Sequence, residues 1–156
     1  MIAIVIGCAD LLCASLLVGA MFGIWLILNP RGLTAAQYVA LQQQAIRTLN
    51  AAMPSLGAAT VAVTVGAAVM ARQDPARVAM LAAASLGFLA AGLITRFINQ
   101  PINAVVMTWS PATPPADWTR LRDSWWRWHV VRLLCGLSGL LLLAWVAVTG
   151  GSFIRT

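Results

Sequence analysis

The stretch Ser124-Trp125-Trp126-Arg127-Trp128-His129-Val130-Val131-Arg132 gathers three tryptophans, two arginines and the chain's sole histidine into nine residues. His129 is of the type that takes a proton near neutral pH, with an unperturbed pKa of about 6.5. Arg132, three positions on, shares its helix face and offers a fixed cation for a developing oxyanion. A second set, Arg96, Asn99, Gln100 and Asn103, adds a cation and three amides, which hold carbonyl and hydroxyl oxygens by directed hydrogen bonds. A third, Gln43, Arg47 and Asn50, precedes Pro54. Trp125 and Trp128 supply flat stacking surfaces. Together these residue types suit removal of a proton from a bound molecule and stabilisation of the anion left behind.

Two other chemistries use the same residues. His129 can give haem one axial ligand, with arginines pairing its propionates, although one histidine cannot supply bis-His ligation. A zinc or copper site is a poorer match, because one His, no Glu and the scattered Cys8, Cys13 and Cys135 make no ligand cluster. The cysteines read as small packing residues.

The elements that must position these groups lie in a bilayer. The chain has 156 residues, of which 61% are hydrophobic and 9% charged. Its mean hydropathy is +0.86. Apolar runs at 2–28, 51–71, 78–98 and 129–149 are each long enough to cross about 30 Å of hydrocarbon at about 1.5 Å per residue. The first run has no basic start and is interrupted by Asp10, so it is expected to be a retained helix rather than a signal peptide. Breakers at Asn29-Pro30-Arg31-Gly32, Arg72-Gln73-Asp74-Pro75 and Pro111 to Pro115 separate the runs. The expected fold is all-α: a single transmembrane domain over residues 1–156, an up-down-up-down four-helix bundle with both termini on one side. The GxxxG at Gly19 and Gly23 is read as packing within that bundle.

Thr34 predicts the N-cap of a long second helix running without a break through Met53. The fourth helix is expected to begin near Asp117, behind Pro114 and Pro115. At about 100° per residue, Gln43, Arg47, Asn50 and Pro54 share an arc of about 60°, with Tyr38 on the other side. Arg96, Asn99, Gln100 and Asn103 share about 100° of the third helix, bent by Pro101. Arg122, Trp125, Trp126, His129 and Arg132 span about 120° of the fourth. All three arcs belong to the end of the bundle opposite the termini, where a polar cavity would spare the arginines the cost of facing lipid. Single residues of these kinds also have plain roles, as aromatic belts, snorkelling cations and interhelical amides.

The net charge of +6 and pI near 11.1 come from arginines scattered among helix ends, which points to phospholipid headgroups and not to nucleic acid. Arg31, Arg47, Arg120, Arg122 and Arg127 outnumber Arg72, Arg77 and Arg155, placing the polar end in the cytoplasm and the termini outside it. A bacterial inner membrane is the expected location. Asp10 belongs to none of the arcs and needs a partner or a proton.

Three segments, Asn50-Ala51-Ala52-Met53-Pro54, Asn99-Gln100-Pro101-Ile102-Asn103 (NxPxN) and Trp125 to Arg132 (WxxW[NH]xxR), resemble in order and spacing those of the anthrone oxygenase-like family of small four-helix membrane proteins. The resemblance covers nearly the whole chain. It implies oxidation of anthrones to anthraquinones with dioxygen and without a dedicated metal or organic cofactor. The motif's Asn-or-His position is His129 here.

The expected function is therefore a cofactor-independent oxygenase of a planar lipophilic aromatic, anthrone or hydroquinone in type. In it His129 accepts the proton, Arg132 and Arg96 stabilise the anion, Asn99, Asn103 and Asn50 fix substrate oxygens, and Trp125 and Trp128 offer stacking surfaces. Bilayer, aromatic substrate and dioxygen are the expected partners. The alternatives are a haem- or quinone-binding redox protein with His129 as axial ligand, and a non-catalytic subunit of a homo-oligomer or membrane complex.

Overall fold

The polar end of the chain is built by two interruptions of otherwise continuous helices. The computed structural model describes residues 2–29 and 32–150; Pro30, Arg31 and Arg155, which entered the expectations above, lie outside them. Helices α1 (Ile2–Ile27), α3 (Ala52–Met70), α4 (Pro75–Ile94) and α6 (Trp118–Gly150) carry the apolar runs, α4 being prolonged by a π-helical turn (Thr95–Asn99) and α5 (Gln100–Val106). Four helical segments are long and apolar enough to cross a membrane, and the chain is an all-helical integral membrane protein.

The start of α1, the end of α3, the start of α4 and the end of α6 share one end of the bundle, where Gly7, Met70, Arg77 and Val146 line one cleft. The polar arcs meet at the other end, where Leu28, Asn50, Gln100 and Trp125 line another.

The second helix departs from expectation. Thr34 caps α2 (Ala35–Leu49) through a capping box with Gln37, yet the helix stops at Leu49 and α3 begins at Ala52. Pro54 has no N–H to offer the Asn50 carbonyl, and in the first turn of α3 that missing donor would have been unpaired in any case. The break frees α2 to lie over α5 and the start of α3. Its buried face is Tyr38, Val39, Gln42, Gln43 and Ile46, so Arg47 and Asn50 are exposed while Tyr38, expected outside, points in. Burial also pushes the Tyr38 phenol above its ordinary pKa, which leaves it a neutral hydroxyl.

Pro101 causes the second interruption. Its ring and missing N–H disrupt the turn ending at Phe97, and the backbone widens to a π-turn in which Gln100 N–H reaches the Thr95 carbonyl. The wider turn shifts the phase of the helix: Asn99 is buried and Gln100 and Asn103 are half-buried, while Arg96 faces out instead of sharing their arc.

Close helix approach occurs at glycines other than the expected pair. A Cβ on Gly19 or Gly23 would meet nothing within 4 Å, so that GxxxG does not pack the bundle as the sequence reading supposed. Cys8, read as a packing residue, is exposed. At Gly87 a Cβ would lie 2.8 Å from the Cys135 carbonyl oxygen, and at Gly139 it would lie 3.1 Å from that of Ala84. Gly87→Val is therefore expected to destabilise the α4–α6 contact by about 1–3 kcal/mol, read as a lower Tm in detergent, with Gly19→Val nearly neutral.

Candidate active site

Positions 125, 129, 132, 136 and 139 make the buried stripe of α6. His129 is fully buried at 0% exposure. Its ring stacks on Trp125 at 5.0 Å between centroids and 4° between planes, and meets Trp126 at 6.0 Å. Trp126 in turn stacks on Trp25 of α1.

Both ring nitrogens of His129 are engaged. Nε2 lies 3.0 Å from the Met21 carbonyl oxygen, and Nδ1 lies 3.1 Å from Arg132 Nε and 2.8 Å from its Nη2. A carbonyl only accepts and a guanidinium only donates, so the hydrogen sits on Nε2 and Nδ1 is the acceptor. His129 lines neither of the clefts at this end.

Arg132 is 7% exposed. Besides His129 it binds Thr95, Nη1 donating to Oγ1 at 2.9 Å, while Thr95 Oγ1 itself donates to the Ala91 carbonyl. Three of its five N–H groups are thereby used, and two remain for a ligand. Its guanidinium carbon is 5.8 Å from the Trp125 ring centroid. Among the described residues the ion pairs are Arg120–Asp117 and Arg122–Asp123, both toward the surface; Arg132 has no carboxylate partner.

Two clefts meet at this cation. The larger, about 450 Å³, is a slot between α3 and α4 with Leu17, Met21 and Phe88 at its back and Thr95, Gln100 and Arg132 at its polar end. The smaller, about 50 Å³, lies under α2 and is lined by Gln42, Asn103, Thr95, Gln100, Trp125 and Arg132. Gln42 donates to Asn103 Oδ1 at 3.1 Å. Asn99 Nδ2 donates to the Trp125 carbonyl, also at 3.1 Å. Gln42 Oε1, Asn99 Oδ1, Trp125 Nε1 and the Tyr38 hydroxyl are buried without a hydrogen-bond partner among the described residues, polar atoms that water or a ligand can satisfy. Gln43 instead caps α5, donating to the carbonyls of Val106 and Trp109.

The structure thus gathers His129, Arg132, Trp125, Asn99 and Asn103 at one level. Arg96 stands exposed at the rim of the larger cleft, 6.0 Å from the Phe97 ring centroid. Asn50 stands at the rim of the smaller, and Trp128 lines neither cleft. Thr95 and Gln42 are not among the residues expected from sequence: Gln42 lies on the Tyr38 side of α2, away from the Gln43–Pro54 arc, and Thr95 precedes the arc that begins at Arg96. Thr95→Val removes one acceptor from Arg132 and is expected to lower kcat/KM by about tenfold, with a Tm lowered by the loss of one charged hydrogen bond worth about 1.5–3 kcal/mol.

Asp10, at the far end, receives a hydrogen bond from Thr64 Oγ1 at 2.7 Å, which identifies the partner the sequence left open. No curated protein and no solved structure matches the chain. The family model described as anthrone oxygenase matches residues 43–142, from Gln43 through the Asn99–Asn103 turn and the Trp125–Arg132 stripe. That match takes in well over half of the sequence and every element that builds the two clefts except α1 and the first half of α2, and the chain belongs to the anthrone oxygenase family.

Proposed function

We propose that this protein oxidises a planar, lipophilic aromatic of the anthrone or hydroquinone type with dioxygen, needing no resident metal or organic cofactor. One observation carries the reading: Arg132 is a buried cation without an acid partner among the described residues, and it forms the polar end of an otherwise apolar slot. Such a site favours a ligand that is flat and greasy along its body and anionic at one oxygen. A fixed cation in a water-poor site acidifies a bound enol or phenol and stabilises the enolate, which is the electron-rich form that reduces dioxygen.

For an anthrone the balance is simple. The methylene carbon loses two hydrogens and gains one oxygen atom from dioxygen, and the second oxygen atom leaves as water. The first of those hydrogens leaves as a proton.

Neither cleft presents a free carboxylate, thiol or imidazole. The proton therefore passes to water held by Gln42, Asn103 and Gln100 in the smaller cleft, and His129 serves as the acceptor that aims Arg132. In this scheme Asn103 and Gln100 orient the substrate oxygen, Trp125 flanks it, and Arg96 and Asn50 guard the rims. Haem ligation by His129 would require breaking either its bond to the Met21 carbonyl or both of its bonds to Arg132, and opening a path to the ring.

The test is dioxygen uptake by the protein reconstituted in vesicles with an anthrone. One dioxygen consumed per anthraquinone formed, above protein-free vesicles, is the expected result; uptake equal to that background would overturn the reading.

A further inference from the structure

The slot at Arg132 does not end where an aromatic nucleus would. Its walls continue past Val61 and Leu89 into a groove of about 890 Å³ that runs between α3 and α4 to Arg72 and Pro75. Val61 and Leu89 line both spaces, so the two form one trough. From Thr95 to Pro75 it follows about 30 Å of helix, the thickness of the hydrocarbon core. Small side chains such as Ala68, Ala79 and Ala82 make part of the lining of the part beyond Val61 and Leu89, where Ser85 is the one hydroxyl among the described residues. The groove between α1 and α6, about 520 Å³, differs in having no cation at either end.

We infer that the substrate class is an aromatic nucleus bearing a long isoprenoid or acyl tail, with its ionisable oxygen at Arg132 and its tail laid along the α3–α4 trough. This rests on the reading of the Arg132 slot as the site of the aromatic nucleus. Charge and continuity together argue for it. A nine-tenths-buried guanidinium with two unused N–H groups calls for an anionic oxygen, and the slot that seats the nucleus runs on into an apolar groove of bilayer length. A phospholipid tail would fill the trough equally well but has no reason to place a planar anion at that depth. Moving a tail from bilayer to trough exchanges one hydrocarbon surface for another, so the tail contributes alignment: it holds the nucleus edge-on to Arg132 and restricts the orientations in which it enters.

The probes are two stable product analogues, a hydroxyanthraquinone carrying a hexadecyl chain and the same compound without it. Binding is read in reconstituted vesicles by quenching of tryptophan fluorescence, with Trp125 in the adjoining smaller cleft and its ring centroid 5.8 Å from the Arg132 guanidinium carbon, and is expressed per mole fraction in the lipid so that partitioning cancels. The tailed compound is expected to bind at least fivefold more tightly. Ala82→Trp, on the lipid-facing wall of the trough, should erase that difference without weakening the tailless compound, and Ala79→Phe should act likewise if the first variant fails to fold. Equal binding of the two probes would overturn the tail while leaving the aromatic site standing. Failure of both to bind, or binding indifferent to Arg132→Gln, would overturn the site and the tail together.

Discussion

Arg132→Gln is expected to lower kcat/KM for dioxygen-dependent oxidation by about 10²- to 10³-fold while leaving the bundle folded, the range found when a single preorganised oxyanion donor is removed. The fold should survive because this cation breaks no ion pair on leaving: among the described residues it has no acid partner, only His129 Nδ1 and Thr95 Oγ1. A glutamine amide can restore one of those bonds, and the burial cost of the charge disappears with it. Arg132→Lys should recover little. The planar fork addresses His129 through Nε and Nη2 and Thr95 through Nη1 at the same time, whereas an ammonium presents a single point and cannot keep both neighbours and a substrate oxygen in line. The measurement is oxygen uptake in vesicles beside a Tm in detergent. A wild-type rate in Arg132→Gln would remove the cation from the chemistry, and a collapsed Tm would assign it to the fold.

The membrane spans were legible because apolar runs of bilayer length have few other uses, and Thr34, Pro75 and Pro115 marked helix starts. The site was legible where residues share one regular helix: Trp125, His129 and Arg132 fall together on α6 as 3.6-residue periodicity requires. It failed where the period itself changed. The π-turn before Pro101 sends Arg96 outward and brings Thr95 to Arg132, and the break at Asn50 gives α2 a tilt of its own, burying Gln42 and exposing Asn50. Pro101 and Pro54 announced both disturbances, but not their rotational consequence. Nor does any pattern of residue types say that both nitrogens of His129 are taken, because one partner is a main-chain carbonyl 108 positions away in sequence.

That last fact separates two roles for His129 that the residue type leaves equal. If it accepts the substrate proton, His129→Asn should cost about 10²- to 10⁴-fold and remove a limb of the pH–rate profile. If it aims Arg132, an asparagine keeps both functions, its Oδ1 accepting from the guanidinium and its Nδ2 donating toward the Met21 carbonyl. Its shorter reach then costs at most about tenfold, with the pH profile parallel to that of the unchanged protein. The geometry favours the second outcome, since His129 reaches neither cleft and its hydrogen already points at Met21. His129→Leu is the informative contrast. It leaves two N–H groups of a buried cation without their acceptor, each charged hydrogen bond being worth about 1.5–3 kcal/mol, so the rate should fall about 100-fold or more and Arg132 should lose its fixed direction. The order unchanged, Asn, Leu in kcat/KM, with one common pH profile, is the signature of a positioning residue. Equal losses in Asn and Leu, together with a vanished pH limb, would return the proton to His129.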